Sequence, residues 1–111
     1  MGLNKKITDQ GLENIPYLDT LYLGQNTNIT DSGIESLYNL KILNLGSNTT
    51  ITNKGLENKP NLHFLILESN NNITNDGLNN KPNLSSVFLG HNNQIRCFTG
   101  ENPNLRIYQS R

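Results

Sequence analysis

Apolar residues recur at fixed places in a 22-residue unit along this chain, and polar residues fill most of the space between them. Ile7-Thr8, Ile29-Thr30, Ile51-Thr52 and Ile73-Thr74 mark the beat, and Ile95 keeps it although Arg96 follows. After each mark the chain runs Ile-Thr-[Asp/Asn]-x-Gly-[Leu/Ile] and then Leu-x-x-[Leu/Val]-x-Leu-x-x-Asn. A fixed period of this length predicts a solenoid. One unit cannot bury its own apolar face, so stacked neighbours must supply the core.

The x-Leu-x-Leu-x segment alternates its side chains between two faces, as a short strand does. This predicts strands at 20–24, 42–46, 64–68, 86–90 and 106–109, paired in parallel about 4.8 Å apart with the leucines inward. Asn26, Asn48, Asn70 and Asn92 follow the strands, where the chain must turn. A buried amide there offers two donors and an acceptor to backbone groups of its own coil and its neighbour. Ile29, Ile51, Ile73 and Ile95 then return to the core.

Thr30-Asp31, Thr52-Asn53 and Thr74-Asn75 have the residue types that start helices. Short helical or 3-10 segments are predicted near 9–15, 31–37, 53–58 and 75–80. Gly33, Gly55 and Gly77 point to close contact between neighbouring coils. Pro16, Pro60 and Pro82 limit these segments, because the residue before proline avoids the helical region. The slot held by Ile15 and Leu37 becomes Lys59 and Lys81, so the later convex segments should be shorter or more exposed.

Composition narrows the function classes. The 111 residues make one domain, with four full repeats from Ile7 and a degenerate fifth unit at 95–111. Only 33% of residues are hydrophobic, but they concentrate at the repeating positions, so a lean composition still stacks a core. Formal net charge is zero and no basic run occurs, which argues against nucleic acid or an anionic membrane as partner. Cys97 is the single cysteine, so no disulfide forms within the chain. The opening residues lack the apolar stretch of a signal peptide, and Phe64 to Leu67 is too short to cross a bilayer. Many asparagines, no alanine and one valine suggest an AT-rich genome.

The run Leu18-x-x-Leu21-x-Leu23-x-x-Asn26 recurs as Leu40-x-x-Leu43-x-Leu45-x-x-Asn48, Leu62-x-x-Leu65-x-Leu67-x-x-Asn70 and Leu84-x-x-Val87-x-Leu89-x-x-Asn92. It resembles the leucine-rich repeat, matched four times in phase over residues 7 to 111, with an incomplete fifth copy from Leu105. The first half of the unit resembles the variant of F-box substrate adaptors and of short protist and giant-virus leucine-rich repeat proteins. Asparagine stands where the cysteine-containing adaptor subtype has cysteine, and no segment is available for an F-box. The adaptor role is therefore not implied. What the resemblance implies is a right-handed α/β solenoid with a concave parallel sheet and short convex segments.

Function in such a coil should lie where equivalent positions differ, on the strand face opposite the leucines. One outward column reads Thr20, Ile42, Phe64, Ser86 and Ile107, and the next reads Tyr22, Asn44, Ile66, Phe88 and Gln109. Beyond them run Gly24, Gly46, Glu68 and Gly90, with Gln25, Ser47, Ser69 and His91 alongside. Ile42, Phe64, Ile66 and Phe88, with Tyr22 beside them, predict an exposed apolar patch of the kind that marks a partner site. Strand preference alone also favours such residues. The bare glycines fit either close approach of a ligand or a turn requirement, and Glu68 interrupts them. The predicted contact set is Tyr22, Ile42, Asn44, Phe64, Ile66, Glu68, Phe88 and His91.

Catalytic groupings are poor. His63 and His91 fall at opposite ends of their strands, and no phosphate-binding loop or nucleophile arrangement stands out. No catalytic residue, metal or cofactor is expected. The reading is a non-enzymatic interaction module that binds a protein or peptide, intracellular and cytoplasmic, or in the host cytoplasm if viral. The alternative is a self-assembling structural protein, a homodimer included, joined through open solenoid edges and the apolar face. A piece of a longer array is a further alternative.

Overall fold

The computed structural model of the protein describes residues 7–95 and 105–109. In chain order the elements are α1 (Asp9–Leu12), β1 (Thr20–Tyr22), α2 (Asp31–Ile34) and β2 (Ile42–Asn44). A 3-10 turn at Asn53–Leu56, β3 (Phe64–Ile66), a second 3-10 turn at Asn75–Leu78, β4 (Ser86–Phe88) and β5 (Arg106–Tyr108) complete them. The strands form one sheet in sequence order, and every neighbouring pair is parallel. This is a leucine-rich repeat type solenoid. Leu21, Leu43, Leu65 and Val87 stack in one fully buried row, and Ile29, Ile51 and Ile73 close the core from the far side.

The strands are three residues long, shorter at their ends than the leucine pattern suggests. Gly24, Gly46 and Gly90 turn to φ values of 54–56° and leave the β region. Backbone pairing continues nonetheless, with Leu45 N–H donating to Ile66 O at 2.9 Å and Ser47 N–H to Gly24 O at 2.7 Å. The glycine column is thus a turn and packing requirement. A Cβ on Gly46 would lie 2.3 Å from Gly24 O of the preceding coil.

The asparagines form the expected ladder. Asn48 Nδ2 donates to Asn26 O at 3.2 Å and Ile29 O at 2.7 Å. Asn70 and Asn92 repeat the pattern one and two coils later. Each Oδ1 accepts N–H groups of its own coil, as Asn48 does from Thr50 and Ile51 at 2.9 and 3.0 Å. The donors therefore reach back to the preceding coil, and the acceptor serves the asparagine's own loop.

A second ladder runs along the convex side. Asp9 accepts from Thr30 N–H and Oγ1–H at 2.7 and 2.5 Å, and Asp31 holds Thr52 in the same way at 2.8 and 2.5 Å. Asn53 keeps the geometry with one bond reversed: its Oδ1 accepts from Thr74 N–H at 2.9 Å, and its Nδ2 donates to Thr74 Oγ1 at 2.8 Å. The threonine oxygens also accept from Ser32, Lys54 and Asp76 N–H at 3.3 Å. Threonine thus caps its own turn, while the Asp/Asn beside it ties two coils together.

The repeating Ile-Thr-[Asp/Asn]-x-Gly glycine now has a cause. A Cβ on Gly55 would fall 2.5 Å from Asp31 Oδ1 and 3.0 Å from Ile34 Cδ1. The Asp31 carboxylate cannot swing away cheaply, because two bonds to Thr52 hold it. Gly55→Ala should therefore destabilise the fold by about 1–3 kcal/mol, through overpacking and a displaced bridge. A fall in the urea midpoint with an unchanged slope would check this.

Two expectations are corrected. The lysine slots of the later convex segments do not open to solvent: Lys59 and Lys81 are 2% and 7% exposed, buried as Leu37 is. Their methylene stems pack while the ammonium groups reach backbone carbonyls, which a lysine can do and an isoleucine cannot. The segments before them are no shorter than α1 and α2, four residues each, but they wind as 3-10 turns and leave through extended Glu57 and Asn79 and left-handed Asn58 and Asn80.

The second correction concerns β5. Ser86 pairs with Arg106 and Phe88 with Tyr108, an offset of 20 residues where Phe64 and Ser86 differ by 22. Arg106 and Tyr108 therefore face outward and Ile107 packs toward the core, not the reverse. Side chains alternate along a strand, so a one-residue error in register exchanges the two faces. Ile107 and Gln109 leave the predicted outward columns, and Tyr108 leaves the leucine slot. Cys97 and Arg96 lie outside the described residues.

Candidate binding face

The sheet's inner side carries the leucines, so its outer side is free to hold variable residues. Thr20, Ile42, Phe64, Ser86 and Arg106 align in one row across the strands. Tyr22, Asn44, Ile66, Phe88 and Tyr108 align in the next. Five strands at the usual spacing make each row about 19 Å long.

Aromatic rings dominate the exposed part of this face. Tyr22 is 43%, Phe64 39%, Phe88 37% and Tyr108 46% exposed, well above the fully buried leucines behind them. Phe88 and Tyr108 stack with ring centroids 4.8 Å apart and planes 13° off parallel. Parallel pairing places equivalent residues of neighbouring strands side by side, which sets these two rings face to face. Ile42 and Ile66 are half-buried between the rings, and Ser86 is buried. Asn44 also sits half-buried, its Oδ1 accepting from Gly46 N–H at 2.9 Å. Part of its hydrogen-bonding capacity thus serves its own turn.

Glu68 stands at the margin and is distinctive in conformation as well as identity. It occupies the glycine slot at φ 44°, where an L side chain is strained by about 1–2 kcal/mol. Its carbonyl accepts from His91 N–H at 2.7 Å, as Gly24 and Gly46 carbonyls do in the coils before. The backbone role is therefore ordinary, and the exposed carboxylate is the extra feature.

Of the predicted contact residues, Tyr22, Ile42, Asn44, Phe64, Ile66 and Phe88 share the two central rows, while Glu68 and His91 occupy the strand exits. Tyr108 joins the rows and was missed because the short fifth unit hides its register. His63 precedes β3, with Nδ1 2.6 Å from Asn61 O, and does not join Glu68 and His91 in one cluster. Among the described residues no group of three or more His, Cys, Asp or Glu could hold a metal ion. No helix among them is long and apolar enough to cross a membrane.

The leucine-rich repeat family model matches residues 14–37 and 39–58. None of the curated proteins matches the sequence. Among solved structures, the fold is similar to a chain in the crystal structure of the Rad7 and Elc1 complex in yeast, with a TM-score of 0.77 at 19% identity. That match covers 96% of this chain and 31% of the other, so the chain spans about a third of its neighbour's length. Periodic leucines, a parallel sheet in sequence order, an asparagine ladder and the family-model match together support a leucine-rich repeat family for this chain.

Proposed function

We propose that the chain is a non-enzymatic protein-interaction module that holds a protein or peptide segment on the outer face of its sheet. The observation that carries this is the group of exposed rings Tyr22, Phe64, Phe88 and Tyr108, with Ile42 and Ile66 between them. Desolvating such rings is where interfaces gain most of their energy. Glu68 adds a charge at the margin, held in a conformation that glycine would adopt without strain. The favoured occupant is accordingly a segment with apolar side chains and a basic residue near Glu68. Asn44 and His91 complete the contact set.

Selection from a displayed random peptide library would test the reading, using Phe64→Ala/Phe88→Glu as the paired comparison. Selected peptides should combine apolar and basic residues and bind that variant at least about tenfold more weakly. Glu68→Gly should melt at a higher temperature, as left-handed strain is released, while binding these peptides less tightly. Equal binding to a folded Phe64→Ala/Phe88→Glu variant would overturn the proposal.

Self-association is the second reading. It is favoured by β1 standing at one edge of the described sheet, since an unpaired strand edge recruits others. Light scattering over a concentration series separates the two, because a strict monomer at high concentration removes self-assembly as the main role.

A further inference from the structure

The outer face of the sheet is short of hydrogen-bonding groups. The strands of Tyr22 and Phe88 lie about 14 Å apart, and Asn44 and Ile66 sit half-buried in the row between them. Ile42 and Phe64 lie alongside. Asn44 is thus the one polar side chain on the floor of an apolar trough. Its equivalents in the neighbouring coils are Tyr22, Ile66 and Phe88, so the amide departs from its own row.

The orientation of that amide is fixed. Its Oδ1 accepts from Gly46 N–H at 2.9 Å, which leaves both Nδ2 hydrogens over, and no described residue accepts them. Covering a half-buried donor among apolar side chains is costly unless the cover brings an acceptor. An occupant of the trough must therefore place an oxygen over Asn44.

That requirement separates the backbone forms. A helix turns its carbonyls to its own N–H groups. A strand laid on the face, away from any sheet edge, would strip water from N–H groups that find no acceptor among Ile42, Ile66 and the rings. A polyproline II segment has no internal hydrogen bonds, so its carbonyls are free, and each proline has no N–H to strand. It is also ordered before it binds, which lowers the entropy cost, and aromatic-lined grooves are the surfaces that take it. Resting on the binding reading above, we propose that the occupant is a proline-rich segment in polyproline II form. One of its carbonyls accepts from Asn44 Nδ2, and its rings lie against Tyr22, Phe64 and Phe88. Exposed Arg106 begins β5, whereas exposed Glu68 follows β3 at the strand exits. A basic residue of the segment is therefore directed toward Glu68 and away from Arg106.

Fluorescence anisotropy with dye-labelled synthetic peptides tests this on the unaltered protein. The probe repeats Pro-Pro-Leu and ends in arginine. One control has alanine for each proline, and the other repeats Val-Thr-Leu with the same arginine. The proline peptide should bind at least about tenfold more tightly than either control. Asn44→Asp adds a sharper comparison. Aspartate still accepts from Gly46 N–H, so the turn is kept, but it sets an oxygen against the peptide carbonyl. Affinity for the proline peptide should fall at least about tenfold, although added negative charge alone would favour a basic peptide. Unchanged or raised affinity would mean that Asn44 only supports its turn, and the proposal fails. It fails equally if the proline peptide does not bind, or if a control binds as tightly. A control whose binding is lost in Phe64→Ala/Phe88→Glu removes the polyproline assignment and leaves the face reading standing. Binding of every peptide undiminished in that variant removes the face reading itself.

Discussion

Asn70→Ala should lower the unfolding free energy by about 3–5 kcal/mol, a large part of the stability usual for one domain. Asn70 is fully buried, and its Nδ2 donates to Asn48 O at 3.2 Å and Ile51 O at 2.8 Å. Its Oδ1 accepts from Asn72 and Ile73 N–H at 2.8 and 3.2 Å. Alanine leaves these four backbone groups without that partner in a place water reaches poorly, and each unmet buried group costs about 1–3 kcal/mol. The loss is not the full sum, because the loop can relax. Asn70→Asp sharpens the test. The shape is kept and the two acceptor contacts survive, but an oxygen now faces two carbonyl oxygens. At neutral pH the aspartate should cost at least as much as alanine, and acidification should recover part of the loss by returning a donor. Urea denaturation of both variants at pH 7 and pH 4 measures this, and a loss below 1 kcal/mol for both would remove the ladder from its central role.

Lys59→Met should act in the opposite direction, stabilising the fold by about 1–3 kcal/mol at pH 7. The sign follows from protonation. Burial holds the folded ammonium near 8, whereas the unfolded chain keeps the ordinary value of 10.5. Below pH 8 both states are charged and folding bears the whole desolvation cost. Between pH 8 and 10.5 the folded state loses its proton first, so the unfolded state binds more protons and stability rises with pH. Above 10.5 both are neutral and the penalty is gone. The difference between the methionine variant and the natural chain should therefore be greatest near pH 7 and shrink toward pH 10.5. Chemical denaturation at pH 7, 9 and 10.5 would follow it, and a difference that does not change with pH would show that packing alone is responsible. Methionine fits the slot because Ile15 and Leu37 occupy its equivalents.

Much of this molecule was legible in the sequence because a repeat states each structural requirement several times. Leu21, Leu43 and Leu65 identify a buried row, and Asn26, Asn48 and Asn70 identify an inter-coil bond. Substitutions at the outward positions then stand out, which is how Phe64 and Phe88 were found. Errors gathered where the pattern breaks. Tyr108 was misplaced because the fifth unit is short, and no equivalent unit exists to fix its register. Lys59 and Lys81 were read as marks of shorter or more exposed convex segments, because lysine is rarely buried. Nothing in the linear pattern shows that carbonyl oxygens of Glu57 and Asn79 stand ready to receive their ammonium groups.

By itself the sequence determined the solenoid, its coil length, the inward rows and the asparagine turns. All of these follow from local periodicity, which fixes which way each side chain points once coils stack. Only the tertiary structure decided which polar groups meet between coils. It set Asp31 over Gly55 and against Thr52, turned Tyr108 onto Phe88, and drew two lysines into a convex groove. Those contacts join residues about one coil apart, and their geometry depends on how neighbouring coils are offset, which no single repeat encodes.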